Sequence, residues 1–290
     1  MDILQSILLG ILQGATEFFP VSSTGHLILA EKFIPASGDA ALFNIFLHAG
    51  TLAALLLAMQ SDISRLLGEM FRMIGGLLRN LFAYFKSSAS HKEPDYVRVV
   101  TSNYGKMFLL ILTASASSAV VALPLRHLGL TGTDNLIFSG AGFLMTGMLL
   151  LVTDRIEPGT KVPRDITYVQ AALIGLIQGV TVLNGISRTG IMIVAGILLG
   201  FGKKFAIRFS FLLSVPVVVG ALILDLGVLL QADMSVDILA NYAAGLLAAL
   251  IAGLITIGAA MNIMRKSGFK VFSYYSFVIG TLSIICSFIF

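Results

Sequence analysis

The chain has 290 residues, of which 57% are hydrophobic and only 12% charged, with a net charge of +4 and a mean hydropathy of +0.95. A soluble domain carries about 25% charged residues, so this composition argues against a water-soluble globular protein. The single cysteine, Cys286, excludes a disulfide scaffold, and basic residues scattered between apolar blocks argue against nucleic-acid binding. The class that remains is an all-α integral membrane protein. No cleavable leader is expected, because the N-terminus lacks a basic region and the first apolar stretch is broken at Gln13 and Glu17.

In chain order, residues 3–34 are apolar but interrupted by Gly, Pro, Ser and a charge. A first transmembrane helix follows at about 43–60. Residues 65–85 carry Arg65, Arg72 and Arg79 at seven-residue spacing, on roughly one helical face, and predict an amphipathic helix lying in the interface. Residues 86–103 are the most polar segment and predict a loop. Spans are expected at about 104–124 and 136–153, then a second interrupted apolar segment at 168–200, then spans at about 208–230, 238–262 and 271–290. His48, near the start of a span, and Asp225, inside one, are read as structural, with Asp225 capping or pairing. Cys286 is read as a packing residue.

The two interrupted segments match each other. At an offset of 165, nine of the 22 positions of residues 9–30 and 174–195 are identical, among them Gly10/Gly175, Gln13/Gln178, Gly14/Gly179, Ser22/Ser187, Thr24/Thr189 and Gly25/Gly190. This predicts one membrane domain over 1–290 made of two repeats, about 1–160 and 165–290. If each interrupted segment is a re-entrant hairpin, each half adds three spans, and the second half is inverted. That layout puts 16 Lys and Arg on one side against Lys32 and Arg126 on the other, with Arg188 inside the second hairpin. The positive-inside rule then makes the 16-charge face cytoplasmic and both termini external. Inverted repeats with broken helices place ligand sites where the repeats meet, so the two hairpin tips are the candidate site.

The first tip runs from Gln13 to His26. Gln13 and Glu17 share a helical face, and a carboxylate at membrane depth demands an arginine or a metal as partner. Pro20 breaks the helix, Ser22, Ser23 and Thr24 offer hydroxyls, and Gly25 permits close backbone approach. His26 can move a proton near neutral pH. A half-helix starting near Ser23 or Thr24 would aim its N–H groups and dipole at an anion. The second tip repeats Ser187, Thr189 and Gly190 but carries Arg188 where the first has Ser23, Val182 for Glu17 and Ile191 for His26. Acid, hydroxyl and imidazole on one tip and a fixed cation on the other suit phosphoryl transfer. A transporter or lipid flippase would use the same inverted-repeat tips without needing a nucleophile and base on one of them. A phosphatidic-acid-phosphatase-type site is disfavoured, because it needs a His where Ile193 stands.

At these motifs the chain resembles the undecaprenyl-diphosphate phosphatase family of bacteria, associated with bacitracin resistance. Gln13, Glu17 and the run from Pro20 through Val21, Ser22, Ser23, Thr24 and Gly25 to His26 match its first signature; Gly185, Ser187, Arg188 and Gly190 match its second, with Asn184 and Thr189 departing from it. The resemblance implies six spans with two re-entrant hairpins in the cell membrane, hydrolysis of undecaprenyl diphosphate to the monophosphate and phosphate, and a divalent cation, magnesium or calcium. Its implied partners are the polyprenyl diphosphate, the bilayer and a second copy in a homodimer. It implies Glu17, Ser23, Arg188 and His26 as catalytic, with Glu17 on the metal. Gln13, Ser22, Thr24, Gly25, Ser187, Thr189 and Gly190 would line the substrate. Ser23 is the favoured nucleophile, deprotonated by His26 or Glu17; attack by His26 or by a metal-bound water stays open.

Overall fold

A computed structural model describes residues 2–34, 40–90, 93–130, 135–232 and 234–290. In chain order its helices are α1 (Ile3–Glu17), α2 (Ser23–Phe33), α3 (Ala40–Ala58), α4 (Gln60–Ser90), α5 (Asn103–His127), α6 (Leu136–Thr153), α7 (Tyr168–Gly179), α8 (Arg188–Leu198), α9 (Lys203–Gln231), α10 (Val236–Lys266) and α11 (Lys270–Cys286). Five of these, α3, α5, α6, α9 and α10, are long and apolar enough to cross a membrane. The sixth expected span is α11, whose 17 residues stand at the short end of the usual range. The chain is an all-α, multi-pass membrane protein.

The interrupted segments form two broken helix pairs. At 1.5 Å per residue, the 15 residues of α1 and the 11 of α2 are each well short of a bilayer core of about 30 Å. Asp2 and Gln5 cap the start of α1 reciprocally. The helix ends where Pro20 can give no N–H, and Val21 closes a tight turn onto the Phe19 carbonyl. Ser22 then caps α2 from φ 61°, a left-handed conformation unfavourable for a residue with a Cβ. The second pair is built alike. Thr167 caps α7, Gly185 turns the chain at φ 82°, and Ser187 caps α8 through the Gly190 N–H at 3.1 Å. Gly185 is obligatory on two counts, because a Cβ there would also lie 2.0 Å from the Ser139 carbonyl.

Small residues decide how the pairs dock. α1 packs along α10, and α7 packs along α5. Gly10 and Gly14 let α1 reach the backbone of α10, and their counterparts Gly175 and Gly179 let α7 reach α5: a Cβ on Gly175 would stand 2.1 Å from the Ala114 carbonyl. This is the small-xxx-small contact by which membrane helices approach when there is no water to expel. α6 and α11 also pair closely. α8 is buried nearly all round, from Thr189 through Ile197, which explains its unbroken apolar sequence.

α4 is the expected amphipathic helix, with Phe71, Leu77, Leu81, Phe82 and Phe85 exposed. It is longer than expected. Residues 86–90 were predicted as loop, but the helix runs to Ser90; the segment is polar yet lacks any Gly or Pro before Pro94 to stop it. Asn80 then grips the returning segment through both the Val97 N–H and carbonyl. At its other end, Asp62 accepts from the guanidinium of Arg208 and from Tyr104. Burial pushes the Asp62 carboxyl up, but those bonds and the Arg208 charge outweigh it and hold the group below the usual carboxylate range.

These contacts give a paired expectation. Gly175→Leu forces the α5–α7 contact open and costs more than about 3 kcal/mol, seen as lost monodispersity and a lower Tm in detergent. Gly220→Ala on α9, where nothing lies within 4 Å, leaves Tm unchanged or raises it, since alanine is the better helix former by about 1 kcal/mol.

Candidate active site

The last residue of α1 is the junction of the molecule. Glu17 Oε2 accepts a 2.5 Å hydrogen bond from Ser23 Oγ and a 3.0 Å bond from Gln13 Nε2. Its Oε1 accepts from Arg188 at 2.5 Å, and Thr189 Oγ1 reaches its backbone carbonyl at 3.4 Å. The two hairpin tips therefore meet through one carboxylate. The pair is well shielded, with the Arg188 and Glu17 side chains only 20% and 11% exposed. Arg188 spends one of its five N–H donors here and keeps the others.

A cavity of about 180 Å³ opens beside this junction. Ser22, Ser23 and Thr24 line it from the first tip, and Ser187, Arg188 and Thr189 from the second. Both sets are helix starts, whose first-turn N–H groups have no partner within the helix and whose dipoles are positive. Two such ends facing one cavity with a guanidinium make an anion site.

Four sequence-predicted residues lie elsewhere. Gln13, fully buried, braces the cavity from behind. Gly25 packs on the Phe143 ring and Gly190 against Pro20, so both are packing contacts of the tips. His26 points away: Nδ1 meets the Ser22 carbonyl and Nε2 the Tyr275 hydroxyl, each at 2.7 Å. Its ring stacks on Tyr275 and stands edge-on to Phe143. It secures the strained Ser22 turn and does not line the cavity.

The imidazole that does line the cavity is His48 of α3. Gln13 must turn its amide nitrogen toward Glu17, and the same nitrogen lies 3.2 Å from His48 Nδ1. That ring nitrogen is therefore the acceptor, and the proton sits on Nε2. The sequence offered one signal, an ionisable group inside an apolar span, but nothing linked it to residues 13–26. Ser118 and Ala122 of α5, Gln178 of α7 and Val217 and Ala221 of α9 complete the walls. One turn beyond Ala122 and Ala221, Arg126 pairs with Asp225 at 2.5 Å, the structural partnership expected for Asp225.

Glu17 is the only carboxylate lining the cavity among the described residues, and no group of three metal-ligating side chains occurs among them. The described residues by themselves form no cage for a resident ion. Its donors fit instead a magnesium-type ion that keeps its waters and is shared with a bound phosphate, for which one carboxylate suffices.

Comparison with known proteins places the chain in a family. Residues 6–282 match the family model described as bacitracin resistance protein BacA. The chain belongs to that family. It is 32% identical over 288 residues to an undecaprenyl-diphosphatase of Alkaliphilus metalliredigens, covering 99% of both chains. It is 35% identical over 289 residues to one of Desulforapulum autotrophicum, covering 100% of both. A third undecaprenyl-diphosphatase, of Desulfosudis oleivorans, is 35% identical over 288 residues, covering 98% of both.

The Glu17–Arg188 pair predicts a non-additive response. Arg188→Leu leaves a carboxylate buried without its cation and costs about 3 kcal/mol. The Glu17→Gln, Arg188→Leu double variant recovers most of that loss, measured as Tm in one detergent.

Proposed function

We propose that this protein hydrolyses undecaprenyl diphosphate to undecaprenyl phosphate and inorganic phosphate, returning the lipid carrier to cell-wall synthesis. The observation that carries the reading is the Ser23–Glu17–Arg188 constellation at the join of two helix starts. The Ser23 hydroxyl donates to Glu17 at 2.5 Å, the arrangement of a nucleophile beside its base. In the first step the Ser23 Oγ–P bond forms at the terminal phosphorus while the bridging P–O bond breaks. The Ser23 proton passes to Glu17, which returns it to the departing lipid phosphate. In the second step water, deprotonated by Glu17, attacks the seryl phosphorus as the Ser23 Oγ–P bond breaks; Glu17 returns the proton to the Ser23 oxygen, and inorganic phosphate departs. Arg188 and the first-turn N–H groups of α2 and α8 bind the phosphoryl oxygens as their charge builds.

Glu17 is favoured over His26 as the base because both His26 ring nitrogens are occupied by Ser22 and Tyr275. A divalent cation, magnesium or calcium, belongs to the same proposal as one held by Glu17 together with the substrate, where it neutralises phosphate charge. No observation favours the flippase reading.

The reading also takes the chain as two inverted repeats with external termini. The reciprocal docking of α1 on α10 and α7 on α5 supports the repeat. The cavity meets α5 at Ser118 and Ala122, near its Arg126 end, which supports an opening toward the outer leaflet. On a Cys286→Ser background, cysteines placed at Lys32 and Arg126 should react with impermeant reagents from outside, and one at Arg98 from inside. The opposite pattern rejects the orientation.

The deciding assay is phosphate release from undecaprenyl diphosphate by the purified protein. Wild type releases phosphate, and a chelator suppresses it. Glu17→Ala, Ser23→Ala and Arg188→Ala each lose at least about 10²–10³-fold in rate. A fully active Ser23→Ala protein removes the seryl intermediate, and an inactive wild type removes the proposal.

A further inference from the structure

Gln178 is a buried amide with nothing to hold. Its side chain is 1% exposed and lines the cavity, yet neither its nitrogen nor its oxygen has a hydrogen-bond partner among the described residues. Its repeat counterpart Gln13 donates to Glu17 and His48. In the second repeat Val182 stands where Glu17 would be, so the acceptor that Gln13 serves is missing, and Gln178 sits in the cavity wall with its amide unpaired. Burying an amide unpaired costs about 1–3 kcal/mol, and native proteins rarely leave such a group without a role.

The neighbours of Gln178 indicate what it meets. Ser118, 4% exposed, and Thr181 share its wall of the cavity. The hydroxyl of Thr181 is turned back to the Gln178 carbonyl at 2.7 Å, which leaves the carboxamide and the Ser118 hydroxyl as the polar groups there. Ala122, Val217 and Ala221 extend the cavity lining as an apolar rim from α5 and α9. A cavity of about 180 Å³ holds a phosphate headgroup but no isoprenoid chain, so the chain must leave past an apolar rim. The phosphoryl group attached to that chain then lies between the rim and the terminal phosphoryl seated at Ser23 and Arg188.

We propose that Gln178, with Ser118, forms a second phosphate subsite that holds the phosphoryl group retained on the lipid. The inference rests on the diphosphate-hydrolase reading and deepens it. The Gln178 amide N–H and the Ser118 hydroxyl donate to non-bridging oxygens of that group, while Arg188 and Ser23 engage its neighbour across the bridging oxygen. The subsite distinguishes a diphosphate from a lone phosphate, because the latter fills the Arg188 position alone.

The experiment measures calorimetric binding of methylenediphosphonate and of inorganic phosphate to the purified full chain in detergent. Neither probe is turned over, so the readout is separate from lipid hydrolysis: an inactive wild type overturns the functional reading while the probes still report on Gln178. Wild type is expected to bind methylenediphosphonate more tightly than phosphate. Gln178→Leu should weaken methylenediphosphonate about tenfold, the 1.4 kcal/mol expected of one lost hydrogen bond, and change phosphate binding less than about twofold. Its Tm without ligand should equal or exceed that of wild type, because an unpaired buried amide has been removed. Ser118→Ala should weaken methylenediphosphonate alone, by a smaller factor. If Gln178→Leu does not fold, Gln178→Met carries the same comparison. Equal weakening of both probes, unchanged binding of both, or a wild type that does not prefer the diphosphonate overturns the subsite.

Discussion

A carboxylate at membrane depth must be answered by a charge or by strong donors, and Glu17 governs the architecture for that reason. An ionised group at a helix centre costs about 2.5–3.5 kcal/mol on insertion scales. The nearest cation in sequence that could answer it, Lys32, sits at the far end of α2. The guanidinium that does answer it comes from Arg188, 171 residues away. Both residues lie at helix breaks, Glu17 just before Pro20 and Arg188 just after Gly185. Two half-length helices must therefore enter the protein and stop at the same point. The glycine contacts of α1 with α10 and of α7 with α5 serve that requirement, since they set how deeply each tip is carried.

The two tips share their scaffold and divide their chemistry. Each is capped by a serine whose hydroxyl accepts the N–H of the glycine three residues on, Ser22 with Gly25 and Ser187 with Gly190. Each presents a hydroxyl-rich helix start to the cavity. The differences that change the chemistry around the cavity are Ser23 against Arg188 and Glu17 against Val182, with Gln13 engaged where Gln178 is unengaged. A duplicated fold with unlike tips can bring a base and a fixed cation to one point, which a single tip of this size has no room to do.

The two histidines show how far residue type alone carries an argument. His26 lies in the densest polar motif of the chain, three residues after Ser23. On a helix, three residues turn the side chain nearly a full circle but move it along the axis, and here that step carries the ring past the cavity edge toward α6 and α11, against Phe143 and Tyr275. His48 has no motif around it, but α3 delivers it to Gln13 and so to the back of Glu17. Sequence proximity proposed one imidazole, and helix packing supplied another.

Much of the molecule is written in local pattern. The spans follow from runs of apolar residues long enough for a bilayer, the helix breaks from Pro20 and Gly185, and the amphipathic α4 from its arginine spacing, because each depends on neighbours within a turn or two. The convergence of Gln13, Glu17, Ser23, Arg188 and Thr189 was legible too, since the two tips carry complementary chemistry on matching scaffolds. The end of α4 was misread because polarity was taken for a helix stop where no breaking residue stands. What only the tertiary structure decided is which groups from the long helices close the cavity. Ser118, Ala122, His48, Val217 and Ala221 face it by the rotation of α3, α5 and α9 about their axes, and that rotation is set by packing against several other helices at once, which no window of sequence contains.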